Sequence, residues 1–149
     1  MTAIPEGIKD ILIADGVVTG LGPGTPGDWR AYLYSEPDTP DNVVTIYQPG
    51  NWDRASNRYL LDFPIIQVRV RSARGDAQGA MTKIQQVKDS LLGYDPHDRS
   101  GDRWAGILFG TDIIPLGADE NKRYRFVISF NLIIEPAPSA LTNRVPLNL

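Results

Sequence analysis

Residues 122–135, KRYRFVISFNLIIE, alternate along their whole length. Tyr124, Phe126, Ile128, Phe130, Leu132 and Ile134 fall on one side, and Arg125, Val127, Ser129, Asn131 and Ile133 on the other. A period of two is that of a strand, whose side chains point to opposite faces in turn. Val127 and Ile133 make the second side partly apolar, which predicts a central strand covered in places on both faces. Such a strand cannot stand alone, so the rest of the chain must supply neighbours for it and a layer to cover them.

The stretch DFPIIQVRVRS, residues 62–72, repeats the pattern: Ile66, Val68 and Val70 on one face, Gln67, Arg69 and Arg71 on the other. Shorter strands are expected at WRAYLYS (29–35) and VVTIYQ (43–48), the latter β-branched and aromatic. WAGILF and DIIPL, separated by a turn at Gly110-Thr111-Asp112, lead into 122–135 as a three-stranded meander. Helical spacing appears twice. Ile4, Ile8, Ile11 and Leu12 share a face of a short helix that starts near Pro5 and ends at Gly16. Ala77, Ala80, Met81, Ile84, Val87 and Leu91 form the apolar stripe of a helix from Asp76, its N-cap, to about Leu92, with Gly93 as terminator. The expected fold is therefore α+β: a mainly antiparallel sheet, a long helix packed across one face, and a short N-terminal helix. Residues 1–135 make one domain, and the Pro-rich 136–149 an extended arm.

Composition narrows function more than fold. With 149 residues, 42% hydrophobic and 22% charged, the chain is long enough for one real core. Its net charge of −3 is unlike that of a protein that grips duplex phosphates. It has no cysteine, so disulfides, thiolate metal sites and thiol nucleophiles are excluded. The start, MTAIPEGIKDILIADG, lacks the basic and apolar segments of a signal peptide, and no run of 18 apolar residues occurs. The expected compartment is the cytosol of the producing cell, with no membrane contact.

Four motifs invite a chemical reading. GPGTPG places Gly22, Gly24 and Gly27 at G-x-G-x-x-G spacing, but Pro23 and Pro26 interrupt it and a strand-like segment follows, where a dinucleotide site needs a helix. DPHDRSGD gathers Asp95, His97, Asp98 and Asp102, without the spacing of a calcium loop. The single histidine has no G-x-S-x-G partner. Arg69, Arg71, Arg74 and Arg125 suggest a basic strip, though the exposed side of QVRVRS has no aromatic for base stacking. No catalytic, cofactor or metal residue is assigned. The reading preferred for the arginines is a protein interface in which they meet acids of a neighbour, such as those of EPDTPD.

Together, YLLDFPIIQVRVRS, the helix DAQGAMTKIQQVKDSLLG and the meander ending in RYRFVISFNLIIE resemble the tail terminator and minor capsid (tail-completion) group of long-tailed bacteriophages. The P-x-x-Q-V-R-x-R strand followed closely by a helix carries the likeness, which spans most of residues 1–135. The resemblance implies a virion protein of the tail or neck, assembled in the host cytoplasm, with no enzymatic role and no cofactor. It implies a ring of copies, six in number, that caps the tail tube, ends its polymerisation and joins the head connector or head-completion protein. DNA passes through without specific binding. Gln67, Arg69, Arg71 and Arg125 are then expected at a subunit interface opposite Glu36, Asp38 and Asp41. Trp52, Arg54 and Arg58 of the polar loop, and Leu141, Val145 and Leu147 of the arm, are expected to touch partners. The alternatives are another neck or head-tail joining protein, a nucleotide- or metal-dependent enzyme using the Gly or Asp/His loop, and a single-strand nucleic-acid binder using Tyr32, Tyr34 and the arginines.

Overall fold

The computed structural model describes residues 3–149. Two helices, α1 (Ile4–Ala14) and α2 (Ala77–Leu91), accompany six strands: β1 (Arg30–Leu33), β2 (Val43–Asn51), β3 (Pro64–Arg74), β4 (His97–Arg99), β5 (Asp102–Ala118) and β6 (Arg123–Glu135). They form one mixed sheet in the order β1-β2-β3-β6-β5-β4. β1 and β2 run parallel, and the other neighbours pair antiparallel. The fold is α+β, and β6 lies inside the sheet between β3 and β5, as its two-sided apolar pattern required.

The core lies between the sheet and the helices. Val44, Ile46, Ile66, Val68, Val70, Ile128, Phe130 and Leu132 meet Ala80, Ile84, Val87 and Leu91 of α2 and Ile8, Ile11 and Leu12 of α1. Pro5 stands in the first turn of α1, and Gly16 follows its end at φ 73°. Asp76 caps α2 by accepting the Gly79 N–H at 2.9 Å. Met81, placed on the apolar stripe by spacing, is exposed instead. It sits at the margin of the stripe that Ala80, Ile84, Val87 and Leu91 bury.

Three expectations are corrected. The turn at Gly110-Thr111-Asp112 does not form. WAGILF and DIIPL are one strand, β5, which stays paired with β6 from Arg103 to Ala118 through four register shifts. Extra residues at bulges let a strand with broken alternation keep its partner, and the true hairpin turn lies at 119–122, where Lys122 takes φ 60°. The polar loop around His97 contains a short strand, β4, paired with the start of β5. Third, Arg71 is not on an exposed face. It is 3% exposed, under the segment that connects β1 to β2.

Candidate assembly surfaces

That connection explains the burial. Parallel strands normally need a crossover of a dozen residues or more, usually a helix. Here residues 34–42 suffice, and the Arg71 side chain takes the place of a packed helix. Its guanidinium donates to the carbonyls of Pro37 (2.6 Å), Asp38 (3.2 Å), Pro40 (2.6 Å) and Asp41 (3.2 Å). A planar fork of five N–H groups can serve four convergent carbonyls, which an ammonium cannot. Arg123, also buried, holds the same segment from β6: it meets Asp38 at 3.1 Å, Asp41 at 3.2 Å and Asp119 at 2.8 Å. Burial and then the neighbouring Arg123 charge lower the pKa of Arg71, with Glu36, Asp119 and Asp41 acting against them. For Arg123, burial also lowers it, but the hydrogen bonds it donates to three carboxylates outweigh that and raise it. The two guanidiniums share one acidic loop, and Arg123 holds the direct carboxylate contacts. Glu36, Asp38 and Asp41 thus find arginine partners within their own chain, Glu36 only at 4.0 Å from Arg71. Nothing in the alternation of QVRVRS signals this, because what covers the arginine comes from thirty residues earlier. Arg123 was missed for the same reason.

Gln67, Arg69 and Arg125 remain half-exposed on the face away from α2. Cross-strand register puts Arg69 between Thr45 and Val127, Gln67 between Tyr47 and Ser129, and Arg125 between Arg71 and Gly117. Arg69 stacks on the Tyr47 ring at 5.3 Å, and its Nε is buried without a hydrogen-bond partner.

Asp119 organises the β5–β6 turn. Its carboxylate accepts the backbone N–H groups of Asn121 and Arg123 at 2.9 Å each and the Arg123 Nε at 2.8 Å. Burial pushes its pKa up, but these bonds outweigh burial and hold it below the ordinary 3.8. A depressed folded-state pKa supplies stability that is present above pH 3.8 and lost as pH falls through the lower folded value. Asp119→Asn should therefore flatten the acid limb of stability, read as the urea midpoint between pH 6 and pH 2. An unchanged acid slope would show that Asp119 is not the group responsible.

The two motif loops have structural occupants. The Gly loop wraps Arg30, whose guanidinium donates to the Gly22 carbonyl at 2.7 Å, the Leu21 carbonyl at 3.0 Å and the Thr19 hydroxyl at 3.0 Å. A Cβ at Gly24 would lie 2.7 Å from that side chain. The loop continues into β1 rather than a helix, and it covers β1's outer edge through a Leu21–Ala31 bridge. In the other loop, His97 is packed between Tyr94 and Trp104, with ring centroids at 5.0 and 5.4 Å. Asp102 is buried and accepts the Ala137 N–H at 2.7 Å. Among the described residues, no group of three or more His, Asp or Glu is placed to hold a metal ion, and no helix is long and apolar enough to cross a membrane.

The polar loop and the arm come together. Trp52 donates its indole N–H to the Leu132 carbonyl at 2.8 Å and meets Phe63 edge-on. Arg58 lies over the Tyr59 ring at 5.5 Å, and neither Arg54 nor Arg58 enters an ion pair among the described residues. The arm folds back on this loop. Val145 bonds Arg58 and Leu60 through its backbone, and Arg144 pairs with Asp62 at 2.9 Å. Glu135 accepts the N–H groups of Leu147, Asn148 and Leu149 at 3.1–3.2 Å. Leu141, Val145 and Leu147 stay exposed on the outer side.

The last surface is the edge of the sheet. β4 covers β5 only at Asp102–Trp104. From Gly106 to Ala118 β5 has β6 on one side and, among the described residues, no strand on the other. An open strand edge, a half-exposed arginine face and an arm with exposed leucines are the surfaces this fold leaves open. The chain belongs to the bacteriophage tail terminator proteins, whose family matches residues 14–136. It is a structural component of the virion tail, and it associates with other tail and virion components. A solved chain from the virion of a native gene transfer agent particle shares the fold, with a TM-score of 0.62 at 16% identity, covering 91% of this chain and 100% of that one. A second solved chain gives a TM-score of 0.57 at 15% identity, covering 92% and 94%. No curated protein matches this sequence.

Proposed function

We propose that this protein closes the phage tail tube as a ring of its own copies, ends tube polymerisation and presents the joint to the head connector. Family membership across residues 14–136 is the observation that carries the reading. The surface supports it in kind. A ring needs a heterologous contact, in which each subunit offers two different faces, and this chain has distinct unsatisfied surfaces on the sheet edge, the arginine face and the loop–arm region. Gln67, Arg69 and Arg125 serve the subunit boundary in this reading, with Trp52, Arg54, Arg58 and the arm at partner contacts. A net charge of −3 suits a passage through which DNA slides without being held.

The test is to add the purified protein to growing tail tubes and image them by negative-stain electron microscopy. The expected result is a cap at one end, six subunits in the ring by mass, and arrested elongation. Tubes that keep growing without a cap would overturn the reading. A protein that instead bound isolated head connectors alone would belong to the head side of the joint.

A further inference from the structure

Among the described residues fifteen large apolar side chains are exposed, and eight of them lie in two segments: Leu108, Phe109, Ile114 and Leu116 on β5, and Leu141, Val145, Leu147 and Leu149 on the arm. Phe109 is 58% exposed and Leu141 92%. Monomeric proteins protect long strand edges with charges, prolines or covering loops, because unpaired edges recruit other chains. The other sheet edge, at β1, is covered in this way by residues 19–22. The β5 edge is not. Its four register shifts and Pro115 break the ladder, and the Gly93 N–H caps the Ile107 carbonyl. What the edge offers is therefore mainly side-chain surface.

Charge selects the occupant. Between Gly106 and Ala118 the only charged residue is Asp112, and it is neutralised by Lys88 at 3.0 Å. Between Pro136 and Leu149 the only charged side chain is Arg144, and it is neutralised by Asp62. Pressing one strip against the other buries apolar area and strands no unpaired side-chain charge, the condition on which buried contacts fail. The arm leaves β6 at its C-terminal end, beside the start of β5, while the open edge runs from there towards the hairpin turn. The two strips are different surfaces of one subunit, so a contact between them is heterologous, the kind that closes into a ring.

We propose that the arm of one copy, docked on its own subunit by Glu135 and Asp62, packs its outer face against the open β5 edge of the next. This rests on the ring reading above and names the contact that builds the ring.

The absence of native cysteine makes the test direct. Phe109→Cys and Leu141→Cys proteins are prepared separately, mixed, and treated with a short bismaleimide, with and without purified tail tubes. Oligomer mass is followed by light scattering. The expected result is a covalent dimer at least tenfold more abundant in the mixture than in either protein alone. Phe109→Asp and Leu141→Asp should each abolish the oligomer while leaving the circular dichroism spectrum unchanged. Cross-linking of Phe109→Cys to itself would indicate a two-fold contact and overturn the proposal. Rings or tube caps without the mixed cross-link would overturn the contact and leave the capping function standing. Absence of rings, caps and cross-links under both conditions would overturn both.

Discussion

Replacing Arg71 with methionine is expected to remove about 3–5 kcal/mol of folding stability, the usual cost of breaking a buried charged network from one side. Methionine keeps most of the volume, so packing loss is not the cause. Four backbone carbonyls of the β1–β2 connection lose their donor, and a buried unsatisfied acceptor costs about 1–3 kcal/mol. The acidic residues Asp38 and Asp41 would still be held by Arg123, so the segment should loosen rather than detach. Arg71→Lys should not rescue the loss, because one ammonium cannot span the four carbonyls. Guanidinium chloride unfolding measures the change, and limited proteolysis at residues 34–42 locates it. A methionine variant within about 1 kcal/mol of the parent, far below the cost of a broken buried network, would show that the connection is held by its own turns.

Trp104→Ala should cost about 3–5 kcal/mol, the range for deleting a large aromatic from a core. Trp104 is among the largest fully buried side chains, and it forms the seat of α1. A Cβ on Gly7 would come within 2.5 Å of its ring, so the helix approaches at the closest distance a glycine allows. Arg99 also lies against the ring, at 5.6 Å from its centroid. The indole N–H has no hydrogen-bond partner, so the loss is one of packing, and Trp104→Phe should cost distinctly less than alanine. Thermal unfolding checks both. If phenylalanine and alanine were equally damaging, the indole nitrogen would matter more than its surroundings suggest, as through a bridging water.

The two variants probe opposite ends of the same sheet and have no shared partners, so their effects should add. Neither touches the β5 edge or the outer face of the arm. A ring that survives in both, at concentrations where the subunit is folded, would separate folding from assembly.

Much of the scaffold was legible because it rests on local periodicity. The alternation of 122–135 sets a strand buried on one face and partly on the other, and β6 sits between two strands as that demands. The helix from Asp76 was readable from its cap, its stripe and Gly93, all set by neighbours within a few residues. The stretch 104–118 misled because Gly110-Thr111-Asp112 looks like a turn signal, whereas here it accompanies register shifts in a continuous strand.

The fate of each arginine was not local. Arg69 and Arg71 are two positions apart on the same strand face, yet one is half-exposed over Tyr47 and the other is buried beneath carbonyls of residues 37–41. Their sequence context is nearly the same, and only the path of the chain between β1 and β2 distinguishes them. The arm is a parallel case. Its prolines and leucines announce an extended segment, but that Glu135 and Asp62 draw it onto its own subunit follows from where β6 ends. By itself the sequence determined which segments are strands and helices and which faces are apolar, because those depend on the spacing of side chains along one element. Only the tertiary structure decided which charges are spent inside the subunit and which edge of the sheet is left open, because both depend on segments far apart in the chain arriving at the same place.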